Sequence, residues 1–309
     1  MTEQFARVDE LRRSLIDEIA TVLGLSPSGL PRKLLSPLFW PAAHRFSKLA
    51  ARFDQAVAEM GLREAARWVL PHFVPGVQVR GTEAIPHEGP LLVASNHPGT
   101  VDSLAILANL PRDDVKVVAS GLPFVRALPG IRRHLIYIPR EGLGRTTALR
   151  EALRHLDADG ALLIFPSGRV DPDPAILPGA YEALSTWSRS LDLILHRLPN
   201  TRVLPTIVSG VLSPKWLHHP LVWIRRGARE QQLLAEFLQV IQQMVFGLRS
   251  SSMPQVTFGS SVTAAELDRG DGSTSFLGSI VERAQRLLAE HCEISSCSPQ
   301  LAGPGQARL

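Results

Sequence analysis

The spacing of apolar residues changes part-way along the chain. From about residue 3 to 23, and again from about 44 to 70, apolar side chains recur every three or four positions, as at Leu11, Leu15 and Ile19. This spacing places them on one face of a helix. The first part of the chain is therefore predicted to be helical.

The segment between these helices, GLSPSGLPRKLLSPLFWPAAHRFSKLAARF at residues 24–53, combines Pro and Gly with bulky apolar residues and basic ones. Trp40 followed by Arg45 and Lys48 suits a segment that lies in a membrane interface. The same residues also suit a helical layer packed on a core, and both interpretations stay open. We predict an N-terminal helical layer over residues 1–75.

From Val77 onward, short β-rich runs alternate with helical patterns. The runs are VQVRG, LLVASN, VKVVAS, HLIYIPR, ALLIFPSG and RVLPTIVSG, and helical stretches such as VDSLAILANL and GRTTALREALRHLDADG separate them. Strands that are apolar almost throughout are buried on both faces, and alternation with helices favours parallel pairing. The sequence therefore predicts an α/β fold, with a mostly parallel central sheet and helices on both faces.

The last third of the chain continues this pattern. A helix is predicted over residues 229–247, a late strand at PQVTFG, and a final helix from about 274 to 292. The polar end of the chain is typical of a frayed terminus. We predict an α/β domain over residues 76–293 and a flexible tail over 294–309.

Composition limits the classes of partner. The chain has 309 residues, of which 45% are hydrophobic and 20% charged, and its formal net charge is +4. Arginine supplies nearly all of the basic residues, and its guanidinium group matches phosphate and carboxylate. This mild excess suits an anionic lipid surface or a phosphorylated substrate. Nucleic-acid binding would call for a denser basic stripe with stacking aromatic residues.

Cysteine usage and hydropathy indicate a compartment. Cys292 and Cys297 form neither a disulfide framework nor a metal-ligand spacing, which is typical of a reducing environment. The first residues lack the basic start and apolar middle of a signal peptide, and no apolar run is long enough to span a bilayer. We expect a cytoplasmic protein that is peripheral on the inner face of the membrane.

A histidine and an aspartate stand five positions apart in LLVASNHPGTVDSLAIL. His97 follows a predicted strand, Asp102 begins the next helix, and Pro98 and Gly99 favour a turn between them. The carboxylate can then approach one imidazole nitrogen and leave the other for a substrate. The alternative is structural: Asp102 caps the helix and His97 bonds a backbone carbonyl.

Four motif blocks, in order over about residues 77–210, resemble those of the glycerolipid acyltransferase family, which includes lysophosphatidate and glycerol-3-phosphate acyltransferases. They are the His-x4-Asp block preceded by Asn96, the segment GLPFVRALPGIRRHLIYIPR, the segment LLIFPSGR, and VLPTIVSG with Pro205 near its middle. In this family the histidine is the general base that deprotonates an acceptor hydroxyl. The hydroxyl then attacks a thioester directly, without a covalent acyl-enzyme.

The resemblance implies roles for the matching residues. His97 is the base, Asp102 orients it, and Arg140 contacts the acceptor's phosphate; a surface ion pair is the alternative for Arg140.

The same block shapes the acceptor cleft in the family. Gly121, Pro123 and Phe124 match that part of it, although Phe124 also suits an ordinary core position.

The third block departs from the family pattern of Phe-Pro-Glu-Gly followed by Thr or Ser and then Arg. Ser167 replaces the glutamate, and Arg169 directly follows Gly168, one position early. A carboxylate for the acceptor hydroxyl is thereby lost, so the acceptor is not identified. Downstream, Asp171 and Asp173 either replace that carboxylate or lie in a solvated turn.

Two rival functions are weighed against acyl transfer. Ser167, His97 and Asp102 supply the residue types of a serine hydrolase, but Phe165 occupies the position where a nucleophile elbow has glycine. The other rival is a non-catalytic protein that binds lipid or a membrane surface.

The segment SPKWLHHPLVWIRRGARE offers no metal site, because His218 and His219 are adjacent and cannot easily bind one ion together. Its tryptophans beside Arg225 and Arg226 suit either a headgroup interface or the core.

Together these features predict an acyltransferase that moves a fatty acyl group from acyl-CoA or acyl-carrier protein to a hydroxyl of a glycerolipid-type or other anionic lipid. We expect no cofactor besides this thioester co-substrate, no metal and no nucleic acid, and we expect contact with a membrane surface. The candidate catalytic residues are His97 and Asp102, and the candidate substrate-binding residues are Gly121, Pro123, Phe124, Arg140, Ser167, Gly168 and Arg169.

Overall fold

The computed structural model describes residues 8–9, 11–16, 30–120, 123–138, 144–247, 250–267 and 275–295. Within them one seven-stranded sheet has the order β1-β7-β6-β2-β5-β3-β4. Neighbouring strands are parallel except β6 and β7, which are antiparallel. The strands are β1 (Gln78–Arg80), β2 (Leu91–Ser95), β3 (Val115–Ser120), β4 (Leu135–Ile138), β5 (Ala161–Ile164), β6 (Arg202–Ser209) and β7 (Gln255–Phe258).

Helices cover both faces of this sheet, which confirms the predicted fold class. Alternate side chains of β2 enter different cores: Leu91 and Val93 join one, and Leu92 and Ala94 join the other. The helices are α1 (Leu30–Met60), α2 (Leu62–Val69), α3 (Asp102–Asn109), α4 (Pro123–Arg126), α5 (Pro129–Arg132), α6 (Gly144–Asp157), α7 (Ala180–Leu184), α8 (Ser190–Arg197), α9 (Pro214–Leu217), α10 (Ala228–Phe246), α11 (Ala264–Leu267) and α12 (Leu277–Ser295).

Helix α1 begins well before the predicted residue 44 and runs through two prolines. Pro37 and Pro41 are four residues apart and both are exposed, so they share the solvent-facing side of the helix. The carbonyl groups that they leave without a helical partner can bond water there, which is how a helix tolerates internal proline. The helix ends at Gly61, whose φ of +84° lies in the left-handed region.

Part of α1 packs against the rest of the fold. Ala42, Ala43 and Ala51 are buried, and small side chains let this helix approach its neighbours closely. Arg45 donates hydrogen bonds to the carbonyl oxygens of Met244 (3.0 Å) and Val245, and so caps the carboxyl end of α10. Arg45, one of the two basic residues that suggested a headgroup contact, therefore also stabilises the fold.

The domain boundaries stay predictions. Helix α12 extends through Ser295, two residues into the predicted tail, and the rest of the tail lies outside the described residues. The predicted N-terminal helix also lies mostly outside them, with helical turns described at residues 8–9 and 11–16. In the part of the chain that is described, no helix is long and apolar enough to cross a membrane.

Asp173 joins the loops that follow β5 and β6. Its side chain is completely buried, and Asp171 is nearly so, which makes the predicted solvated turn wrong. One carboxylate oxygen of Asp173 accepts from the N–H groups of Ala175 (3.0 Å) and Gly210 (2.8 Å). The other accepts from the two backbone N–H groups that follow Gly210, at 2.9 and 3.1 Å. A single side chain thus holds two loops at the carboxyl edge of the sheet.

Asp173→Asn should destabilise the protein. The amide replaces one acceptor oxygen with a donor that faces two backbone N–H groups, and buried donors left unpaired cost about 1–3 kcal/mol each. We expect the free energy of unfolding to fall by about 2–4 kcal/mol, measured as a lower urea midpoint with an unchanged slope. Asp157→Asn, at an exposed position, is the control. Equal midpoints for wild type and Asp173→Asn would contradict this role.

Candidate active site

The site begins where β2 ends. Asn96 is buried, and its side chain pairs with both backbone groups of Val208: the amide donates to the carbonyl oxygen and the amide oxygen accepts from the N–H, each at 2.8 Å. This pairing continues the contact of β2 with β6 beyond the last backbone pair. The position of the next residue, His97, is thereby fixed relative to two strands.

His97 and Asp102 contact each other as predicted. Asp102 is the first residue of α3, and its Oδ2 accepts hydrogen bonds from His97 Nδ1 at 2.7 Å and from the N–H of Gly99 at 3.0 Å. Its Oδ1 accepts from the N–H of Ser103, so Asp102 both contacts the imidazole and satisfies a backbone donor in the first turn of the helix. The Asp102 side chain is completely buried, whereas that of His97 is 29% exposed. The pair therefore lies at the boundary between core and solvent.

The second nitrogen of His97 remains available. Phe165, the residue after β5, stacks on the imidazole with ring centroids 4.4 Å apart and 28° between the planes. Because Nδ1 contacts Asp102, Nε2 is the nitrogen that a substrate can reach. Among the described residues, no group hydrogen-bonds this atom.

The third motif block forms a turn beside His97. The N–H of Gly168 donates to the carbonyl oxygen of Phe165 at 3.0 Å, and Gly168 has a φ of +65°, where residues with a Cβ are strained. Ser167 Oγ lies 2.9 Å from the carbonyl oxygen of Arg169 and 3.0 Å from Asp171 Oδ2. Arg169 is exposed, and its Nη2 donates to Thr186 Oγ1 at 3.3 Å.

Asp171 connects this block to the His97 backbone. Its Oδ2 accepts from the N–H of His97 at 3.0 Å, and its own N–H donates to the carbonyl oxygen of His97 at 2.8 Å. Its Oδ1 is buried and has no hydrogen-bond partner within the described ranges. Burial raises the pKa of the Asp171 carboxyl group, against the opposing effect of these donors. Asp171 therefore lies behind Ser167 and supports it.

Helix α10 closes the site from the C-terminal third of the chain. Gln232 Nε2 donates to the carbonyl oxygens of Pro98 (2.8 Å) and Asp171 (2.9 Å), which joins the two loops. One turn further along, Glu236 accepts from the N–H of Thr100. Burial raises the pKa of the Glu236 carboxyl group, although its bond to Thr100 and the nearby imidazole oppose the rise.

Three carboxylates raise the pKa of the His97 imidazole. Burial alone would lower the pKa of His97, but the charge and hydrogen bond of Asp102, followed by the charges of Glu236 and Asp171, raise it to about 9. The ring is therefore a stronger base than free imidazole, and the imidazolium form is stabilised. This combination suits a group that takes a proton from a substrate.

The comparisons with known proteins agree with the motif blocks. A family model described as Acyltransferase matches residues 76–204. Its range includes His97, Asp102 and the third block. This stretch of the chain is therefore similar to the acyltransferase family.

Other comparisons are more distant. The 1-acyl-sn-glycerophosphate (LPA) acyltransferase PlsC from Thermotoga maritima, a solved structure, is 18% identical, with a TM-score of 0.43 over 92% of this chain and 98% of its own. A search of curated proteins found no match.

The structure brings together only some of the residues predicted to form the acyltransferase site. His97, Ser167 and Gly168 lie in neighbouring loops, Asp102 begins the adjoining helix α3, and Arg169 follows Gly168 at the surface.

The second block is only partly described. Gly121 and Arg140 lie outside the described residues, as does the side chain of Pro123. Phe124 is partly buried, and its ring lies edge-on to Phe46 of α1 at 5.8 Å, so it packs between this block and the helical layer. Its predicted role in the acceptor cleft stays a prediction.

Neither Gln232 nor Glu236 was predicted from the sequence as part of the site. Both lie beyond the matched region, in a helix whose polar residues gave no motif. The sequence shows only that Gln232, Gln239 and Gln243 recur at helical spacing, and the structure shows that all three are buried. A buried glutamine needs partners, and here it finds backbone groups of neighbouring loops.

The titration of His97 tests the electrostatics of the site. We expect its Cε1–H resonance to shift with an apparent pKa near 9. In Asp102→Asn the pKa should fall strongly, because burial then acts against the imidazolium with less compensation. Glu236→Gln should lower it less, since its charge contributes less than Asp102.

The same apparent pKa for His97 in wild type and Asp102→Asn would show that the carboxylate does not govern the ring.

Proposed function

We propose that this acyltransferase moves a fatty acyl group from a thioester, acyl-CoA or acyl-carrier protein, to a hydroxyl of a glycerolipid-type or other anionic lipid acceptor. The observation that supports this most directly is the 2.7 Å contact between His97 Nδ1 and the buried Asp102, which leaves Nε2 without a hydrogen-bond partner among the described residues. A general base held in this way can activate the acceptor hydroxyl directly, so the reaction requires no nucleophilic side chain on the protein.

The proposed reaction is one direct transfer. His97 Nε2 takes the proton of the acceptor hydroxyl while the oxygen attacks the thioester carbonyl, which forms a C–O bond. The C–S bond then breaks, and the imidazolium gives its proton to the departing sulfur. Asp102 stays ionised throughout, holds the Nδ1–H tautomer and stabilises the imidazolium.

We propose that Arg169, together with Arg140, contacts the anionic group of the acceptor, and that Ser167 and Gly168 line the place of its hydroxyl. Arg169 is exposed and uses one nitrogen on Thr186, which leaves its other donors toward solvent. Asp171 supports the Ser167 turn from inside rather than standing in the place of the family's glutamate, because its side chain is buried. An acceptor bound without that carboxylate is expected to differ from glycerol 3-phosphate.

We also propose a cytoplasmic location, peripheral on the inner face of a membrane. A lipid acceptor resides in the bilayer, and no helix in the described ranges is able to span one.

His97→Ala should lower turnover by about 10²- to 10⁴-fold, since that is the usual contribution of a positioned general base. The measurement is release of free thiol from acyl-CoA or acyl-carrier protein with a panel of lysolipid acceptors, combined with mass spectrometry of the acylated product. Equal rates in wild type and His97→Ala would overturn the proposal and favour a protein that only binds lipid.

Ser167→Ala is the matched variant, because it separates acyl transfer from serine hydrolysis. The Ser167 hydroxyl contacts Asp171 and Arg169, and no contact with the imidazole occurs among the described residues. We expect turnover within a few-fold of wild type. Loss of turnover, together with labelling of Ser167 by a fluorophosphonate, would instead indicate a serine nucleophile.

The pH dependence follows from the raised pKa of His97. The base must be neutral to accept a proton, so kcat/KM should rise with pH, by about tenfold per unit, up to about pH 9 and level off above it. At pH 7 only about one molecule in a hundred then carries a neutral ring before substrate binds. Thiol release by His97→Ala at each pH gives the uncatalysed background. A profile that is flat from pH 6 to 9 would contradict this assignment.

A further inference from the structure

A surface formed by residues 215–229 combines exposed apolar and basic side chains. Leu221 is 52% exposed, Trp223 66% and Ile224 70%. Its basic members Lys215, Arg226 and Arg229 are also exposed, and this stretch of the sequence contains no Asp or Glu. We call these six residues the Trp223 surface.

The apolar side chains of this surface cannot turn inward, because the position beneath them is filled. Val222 is completely buried in a small core with Leu234 and Ala235 of α10. The backbone around it forms a 3-10 turn at Pro220–Ile224, and the carbonyl oxygen of Arg225 accepts from Gln231 Nε2 at 3.0 Å. Side chains held outward on a fixed turn mark a contact surface.

The Trp223 surface lies close to the candidate active site. It follows β6, which runs parallel to β2, so it emerges from the same edge of the sheet as the His97 loop. Gln231, which binds the carbonyl oxygen of Arg225, directly precedes Gln232, which binds that of Pro98. The turn and the loop are therefore attached to the same first turn of α10.

We propose that the Trp223 surface docks on a bilayer that contains anionic phospholipid. Tryptophan at the headgroup level and aliphatic side chains below it are typical of an interfacial contact, and neighbouring Arg and Lys are attracted to acidic headgroups. A second copy of the chain fits less well, since a two-fold contact would bring like charges together. The inference rests on the proposed function only in that the acceptor is a lipid.

Docking here presents the carboxyl edge of the sheet, with His97, toward the membrane. An acceptor then needs to rise only a short distance from the bilayer to reach Nε2.

The test uses the full chain and sedimentation with two kinds of vesicle, phosphatidylcholine alone and phosphatidylcholine with phosphatidylglycerol. We expect wild type to bind the anionic vesicles more tightly and to lose that preference at high salt. Trp223→Ser combined with Ile224→Ser should weaken binding by about tenfold or more. Arg226→Glu should weaken binding to the anionic vesicles and leave binding to phosphatidylcholine vesicles unchanged. Leu193→Ser, an exposed apolar residue on α8, is the matched control and should bind like wild type.

Activity with a detergent-dispersed acceptor separates this inference from the proposed function. The double variant should keep wild-type turnover there, whereas His97→Ala should lose turnover but still bind vesicles. Wild-type vesicle binding by the double variant would overturn the docking surface and leave the reaction untouched. Dissociation of a wild-type dimer by the double variant, without any vesicle binding, would assign the surface to self-association instead.

Discussion

A buried carboxylate must find hydrogen-bond donors, and Asp102 finds them in the loop that carries His97. The imidazole Nδ1–H and the Gly99 N–H both point at one of its oxygens, so the side chain that orients the ring also shapes the loop. Without these donors a charged group could not remain fully out of water. The chemistry of the site and the stability of the loop thus depend on the same bond.

The neighbouring loops obey the same constraint. Segments that leave the carboxyl ends of β2, β5 and β6 have no ladder of their own, and their backbone groups are satisfied by buried side chains. Asn96, Asp173 and Gln232 each bond backbone groups of a different strand or loop. These bonds hold the edge of the sheet where His97 lies, which keeps the base in place without bound substrate.

The sequence predicted what periodicity and motif spacing can encode. Buried apolar strands and the His-x4-Asp spacing gave the parallel sheet, the edge on which the site lies and the contact of His97 with Asp102. The prolines of α1 led to a predicted helix start that is too late. The destabilisation that an internal proline causes depends on whether the carbonyl group left without a helical partner is hydrated. The contacts of Gln232 and Glu236 could not be predicted for a different reason, because tertiary packing decides which helix folds over a loop.

The pairing of β1 with β7 bears on how the chain emerges from the ribosome. β1 pairs with β7 in the sheet, and β7 also pairs with β6. A nascent chain that ends within the family-matched region therefore exposes an unpaired edge, the kind of surface that recruits other chains. Closure of such a distant pair is slow. β1 can therefore take its place in the sheet only after β7 has been synthesised.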